Sequence, residues 1–172
     1  EVNIVNSKGE VIGTKHREEV DKANESLHAI HLIGLTTNNE VILGLIPQRN
    51  QIGYEGIFEG NFGNISATLV RKDETRDQAA QRAAQEELFR DDLELHYLGD
   101  KYDEFENGVQ RFHSTYYFVH HGKSFCFNRE DIAGAILMQR DIMQDWVEER
   151  PELFAQTFLR IWKRYSHILP IQ

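Results

Sequence analysis

The stretch LHAIHLIGLTTNNEVILGLIP, residues 27–47, leaves this chain few folds. Apolar and β-branched residues crowd both sides of Asn38-Asn39, a pair that suits a tight turn. A sheet strand with one wet face would alternate more strictly between polar and apolar, so this hairpin reads as central sheet. Ahead of it, VNIVNSKGEVIGT predicts a smaller hairpin about Lys8-Gly9, and the polar KHREEVDKANES (15–26) is a lead-in with a short helical turn. Behind it, QRNQIGYEGIFEGNFGN is punctuated by Gly53, Gly56, Gly60 and Gly63 and reads as a loop region with one short strand.

The second half alternates likewise. ISATLV is a short strand leading into a helix predicted over 75–90, with Thr75 and Gln78 spaced as a capping box and Asp73, Glu74 and Asp77 near its positive end. LELHYLGDKYDEF and VQRFHSTYYFVHHG flank an Asn107-Gly108 turn, and IAGAILMQ reads as the last strand. From Asp141 the apolar spacing turns helical. Pro151 interrupts it, and Leu153, Phe154, Phe158, Ile161 and Trp162 form the stripe of a closing helix. No repeat or linker divides the 172 residues, which suits a single α+β domain with residues 1–26 as hairpin and lead-in and 27–172 as the core.

A formal net charge of −9 argues against non-specific binding to nucleic acid or anionic lipid. An acidic protein that handles phosphates needs a divalent cation to mediate the contact. The single Cys126 permits no internal disulfide and fits a reducing compartment; it is expected as a packed core thiol. No apolar run approaches the ~20 residues of a membrane span and no signal-peptide pattern opens the sequence, so a cytoplasmic location is expected. Neither a P-loop, a G-x-S-x-G elbow nor an HExxH helix is present.

Chemistry concentrates in RKDETRDQAAQRAAQEELFRDD, residues 71–92. At roughly 100° per residue, Ala80, Ala84 and Leu88 make a narrow packing face. Residues 83, 86, 87 and 90 share one edge of it, which places Glu86 and Glu87 at the mouth of a cleft with Ala83 one turn before. Paired carboxylates there suit Mg²⁺ or Mn²⁺, hard cations that bridge to substrate phosphates. The same pair on a solvated helix face would have no such role.

The segment resembles the box of the Nudix hydrolases, G-x5-E-x7-R-E-U-x-E-E-x-G-U, with U aliphatic. Glu74, Arg82, Glu86 and Glu87 match its charged anchors. Thr68 and Phe89 stand at the two glycines, Ala83 at the glutamate after the arginine, and Arg90 at the last aliphatic. The flanks are similar to the branch related to isopentenyl-diphosphate isomerase, from the opening hairpin to REDIAGAILMQRDIMQDW and ERPELFAQTFLRIW. The resemblance implies a Nudix fold: a mixed sheet sandwiched between helices, with an N-terminal hairpin.

It also implies a Mg²⁺- or Mn²⁺-dependent hydrolase that cleaves a diphosphate linkage in a nucleoside diphosphate derivative or related small diphosphate. Glu86 and Glu87 become metal ligands and catalytic groups. Glu74 supports the metal or pairs with Arg82, and Asp131, with Glu130 as rival, becomes a further ligand or general base. Arg49, Arg90 and Tyr54 are the expected substrate contacts, and Phe58 and Phe62 could stack on a base or pack in the core. Ala83 cannot coordinate, so activity is expected to be weak, and the alternative is an inactive nucleotide-binding or regulatory module. Phe in place of glycine at 89 is expected to extend the helix or change its exit, because Phe resists a left-handed cap. Isomerase chemistry is not expected: Ala67 and Leu69 stand where that enzyme needs a cysteine and a histidine. His28 and His31 point to opposite faces of a strand, and His113, His120 and His121 lack ligand spacing and are expected to be structural or exposed. A homodimer is within what the resemblance implies.

Overall fold

The computed structural model describes residues 1–47 and 62–171. Among these, nine strands join one mixed sheet: β1 Val2–Val5, β2 Val11–Lys15, β3 Ser26–Thr36, β4 Glu40–Leu45, β5 Phe62–Asn64, β6 Ser66–Leu69, β7 His96–Glu104, β8 Gln110–His120 and β9 Gly134–Gln139. Three α-helices accompany them: α1 Arg76–Leu88, α2 Arg140–Glu149 and α3 Gln156–Tyr165. The architecture is α+β, as the strand and helix periods predict. No helix among the described residues is long and apolar enough to cross a membrane.

β3 is the hub. β8 runs parallel along one edge, from Leu27↔Arg111 to Thr36↔His120. Along the rest of its length β3 meets three antiparallel partners in turn: β1 at Ser26 and Leu27, β6 over Ala29–Leu32, and β4 at Gly34 and Leu35. β4 then diverges to pair with β5 and β9. Only Ile65 separates β5 from β6, so the chain crosses from one half of the sheet to the other at a single residue. Gly44 makes the crossing possible, because a Cβ there would sit 3.0 Å from the Asn64 carbonyl oxygen. A cleft opens where the two halves part.

Strand alternation sorts β3 between two cores. Ile30 and Leu32 pack with Ala79, Ala80, Ala83, Ala84 and Leu88 of α1, whose small side chains let the helix lie close to the sheet. Ile33 and Leu35 pack on the opposite side with Phe158, Ile161, Trp162 and Tyr165 of α3. There the rings of Phe154, Phe158 and Trp162 stack at 5.5 and 6.0 Å.

Several expectations need correction. Cys126 is exposed; Phe125 and Phe127 beside it take the apolar positions against the α1 core. The last strand begins at Gly134 rather than Ile132, and Asp131 lies in the turn before it. Phe89 does adopt the left-handed cap, at φ 54° and ψ 36°, and the helix ends at Leu88. The Arg90 N–H closes that cap on the Ala84 carbonyl at 3.0 Å, and the Phe89 ring, 62% exposed, escapes any clash with the core.

Candidate active site

α1 begins well fixed. Thr75 accepts from the Gln78 N–H while the Gln78 side chain accepts from the Thr75 N–H, a reciprocal capping box. Beside it Arg82 grips both oxygens of Glu74 at 2.7 and 3.0 Å and reaches the Thr68 hydroxyl and the Leu69 carbonyl. Both partners of that ion pair are nearly enclosed, at 13% and 14% exposure. Glu74 also accepts from the Arg71 N–H. With both oxygens taken by Arg82, Glu74 braces the start of the helix.

At the other end Glu86 and Glu87 diverge. Both line a cleft of about 560 Å³ with His31, Asn64, Ser66, Ala67, Arg71, Arg111, His113 and Asp131. Glu86 is half open and is held by Arg71 at 3.2 and 3.4 Å and by Arg82 at 3.3 Å. Glu87 turns inward and makes no ion pair among the described residues. Burial pushes its carboxyl up to about 7; the nearby Ser66 hydroxyl and the Ala67 backbone oppose the rise, while the charge of Asp131 adds to it. Asn128 clasps the Asp131 turn onto the helix. Its N–H donates to the Glu87 carbonyl at 2.7 Å and its side chain to Asp131 Oδ2 at 2.8 Å.

Ala83 has no exposed surface and belongs to the α1 core. Arg90 is not among the cleft residues. The left-handed turn at Phe89 swings the chain off the helical wheel, and Arg90 pairs instead with Asp92 at 2.6 Å and approaches His120. The expected contacts Arg49 and Tyr54, like Phe58, lie outside the described residues. Phe62 packs on Phe154 at 5.8 Å in the core. Glu130 follows the Asn128 side chain in the same turn and is not a cleft residue.

The floor of the cleft carries a pair that sequence spacing missed. His31 and His113 are buried with Nε2 of the first 2.8 Å from Nδ1 of the second. The Asn64 amide donates to His31 Nδ1 at 3.3 Å. His31 therefore carries its proton on Nε2 and gives it to His113 Nδ1, which leaves a proton on His113 Nε2 facing Asp103 at 3.7 Å. The opposite polarity would aim a lone pair at that carboxylate. Asp103 is in turn held by Arg164 at 3.0 and 3.2 Å and by Arg160. Burial holds His31 well below its usual range and lowers His113 to about 3, so both rings stay neutral. His28, on the other face, meets the Ser114 hydroxyl at 2.7 Å. The two cleft histidines meet because β3 and β8 pair in parallel, a contact that no local pattern announces.

No family model and no curated protein matches this sequence. Solved structures do. The protein DR0079 of Deinococcus radiodurans matches with a TM-score of 0.71 at 17% identity, covering 95% of this chain and 97% of that one. The Nudix domain of NrtR from Shewanella oneidensis, solved with ADP ribose, matches at 0.61 and 11%, covering 84% and 89%. A Nudix hydrolase from Nitrosomonas europaea matches at 0.58 and 12%, covering 83% and 89%. This chain has the Nudix fold. The cleft opens beside the C-terminal end of α1.

The residues present fit a divalent cation only in part. Among the described residues no three His, Cys, Asp or Glu side chains gather into a metal-binding group. Glu87 and Asp131, though, are two carboxylates in one cleft, and neither is neutralised by an ion pair among the described residues. Such a pair suits a cation shared with substrate phosphates and water rather than one caged by protein.

Proposed function

We propose that this protein is a divalent-metal-dependent hydrolase that cleaves the diphosphate linkage of a nucleoside diphosphate derivative or a related small diphosphate. The observation that carries the reading is the pair Glu87 and Asp131, joined through Asn128 and lacking a counter-charge, in a cleft that also holds Arg17, Arg71 and Arg111. Glu87 and Asp131 would hold the cation, and Glu86 would join them. The cation would neutralise the diphosphate and lower the pKa of a water.

The chain's own groups do the rest. The guanidinium groups receive phosphate oxygens, since their forked donors match that geometry. The water oxygen attacks one phosphorus, its proton passes to the Glu87–Asp131 pair, and the bridging P–O bond breaks to give two phosphate monoesters. The neutral His31–His113 pair orients the Asn64 amide on the cleft floor without adding charge.

Ala83 and the capture of Glu86 by two arginines favour a second reading, a diphosphate-binding module without turnover. Incubation with a panel of dinucleotides, nucleotide sugars and nucleoside triphosphates plus Mg²⁺ or Mn²⁺ separates the two. Product released by the wild type and lost in Glu87→Gln supports the hydrolase; thermal stabilisation by nucleotide with no product supports the module. Ala83→Glu adds a second probe. Under the hydrolase reading it raises turnover, while its enclosed position means the metal-free variant melts lower than the wild type.

A further inference from the structure

Arg71 matches no anchor of the box, yet it is the cleft residue most directly engaged with an expected ligand. It forms a bridge with Val2 at the rim of the sheet, lines the cleft, and sets both terminal nitrogens of its guanidinium against Glu86 at 3.4 and 3.2 Å. That pair stands open to solvent, with 55% of the arginine and 49% of the glutamate side chain exposed. An ion pair so exposed contributes little stability and is readily exchanged. The neighbouring Arg82–Glu74 pair, at 13% and 14%, is the opposite case. Arg17 lines the same cleft and makes no ion pair among the described residues.

The charges in the cleft make the exchange specific. Arg17, Arg71 and Arg111 line the cleft together with Glu86, Glu87 and Asp131, so the described lining is close to neutral when all six are ionised. A diphosphate alone adds negative charge beside three carboxylates. A divalent cation alone adds positive charge beside three guanidinium groups. Together they leave the balance nearly unchanged.

We infer that Arg71 is a movable counter-cation: it holds Glu86 in the ligand-free cleft and passes, with Arg17, to the oxygens of an arriving diphosphate, which frees Glu86 Oε1 for a divalent cation while Oε2 stays with Arg82. Diphosphate and cation then bind with positive coupling, and linkage makes that coupling reciprocal. The inference rests on the cleft being the diphosphate site. It adds that the ligand presents two ionised phosphoryl groups, one for each of Arg17 and Arg71.

Titration calorimetry at pH 8 tests this with ADP, AMP and Mn²⁺ on the wild type, Arg71→Gln, Arg71→Ala and Arg17→Ala. The affinity of Mn²⁺ for ADP in solution is common to all proteins and cancels between them. In the wild type each of ADP and Mn²⁺ strengthens the other about tenfold beyond that common term, and AMP does not. Both Arg71 variants bind Mn²⁺ alone more tightly and ADP alone more weakly, each by about tenfold, and the coupling shrinks toward none. Arg17→Ala weakens ADP and leaves Mn²⁺ alone unchanged. Because Arg71 is exposed, its variants melt within a few degrees of the wild type, which separates a lost contact from a lost fold. Arg71 variants that leave Mn²⁺ affinity unchanged or lower, or that keep the full coupling, overturn the inference while the hydrolase reading stands. A wild type that takes up neither ADP nor Mn²⁺ overturns both.

Discussion

At the N-terminal end of α1 the polar groups answer one another. Thr75 and Gln78 exchange hydrogen bonds, Arg82 closes on both oxygens of Glu74, and its remaining donors reach Thr68 and Leu69. At the C-terminal end, three turns away, the groups are left incomplete. Glu87 is half-buried without an ion-pair partner among the described residues, Glu86 is held by the exposed Arg71 and through one oxygen by Arg82, and a phenylalanine occupies a left-handed position. The helix is anchored where its groups are satisfied and available for chemistry where they are not. A carboxylate with both oxygens committed to an enclosed guanidinium, as in Glu74, cannot turn to a new ligand without a large loss, whereas Glu86 keeps one oxygen clear of Arg82 and Glu87 has no such partner.

Arg82→Ala gives the strongest test of this contrast. It leaves Glu74 enclosed without its partner and should cost about 3 kcal/mol, lowering the melting midpoint by roughly 6–12 °C. Arg82→Lys restores little of it, because a single ammonium cannot grip both oxygens. A loss under about 1 kcal/mol would mean that the N-terminal end is not the anchor.

Glu87→Gln should act in the opposite direction. The folded-state pKa of Glu87 lies above its unfolded value, so the folded protein holds the proton more tightly. Its contribution to stability is then complete below about 4.5 and is lost as pH rises through about 7. At pH 8 without metal the wild type carries a buried charge that the glutamine avoids, and the variant should be more stable by about 2–3 kcal/mol. Urea unfolding at pH 4.5 and pH 8 measures this; equal stability at both, relative to the wild type, would remove the contrast. Added Mn²⁺ should restore the wild type selectively.

Phe89→Gly should stabilise by about 1 kcal/mol, because glycine enters the left-handed region freely and the exposed ring leaves little packing to lose. Phe89→Val, stiffer at that position, should destabilise. The smallest effect on folding belongs to Glu86→Gln, under about 0.5 kcal/mol for so exposed a pair. The same variant should weaken Mn²⁺ uptake in the presence of ADP by about tenfold or more. Folding unchanged and metal lost would show a residue held in reserve for ligand; both unchanged would show a surface charge.

Much of the frame was legible without coordinates. Asn38-Asn39 and Asn107-Gly108 mark hairpins that form, with Asn39 and Gly108 at positive φ. Thr75 caps α1 as its spacing with Gln78 predicts, and the stripe from Phe154 to Trp162 lies against the sheet. The site was less legible. Arg90 was projected along a helix that stops at Leu88, because a bulky residue at 89 looked unable to form the left-handed cap. Arg71 precedes the helix and lies fifteen residues from Glu86 in sequence, so no local spacing announces their contact. His113 has no ligand spacing of its own and reaches His31, 82 residues away, only through the parallel register of β3 and β8.

The sequence by itself determined the hairpins, the capped helix, the two faces of β3 and the acidic pair, because turn chemistry, capping and side-chain period act over a few residues. Only the tertiary structure decided that Glu86 stands in solvent beside Arg71 while Glu87 turns inward, half-buried, toward Asp131. The two are adjacent in the chain and identical in chemistry. What separates them is the dielectric around each carboxylate and the charges facing it, and both come from strands and turns far away in the sequence.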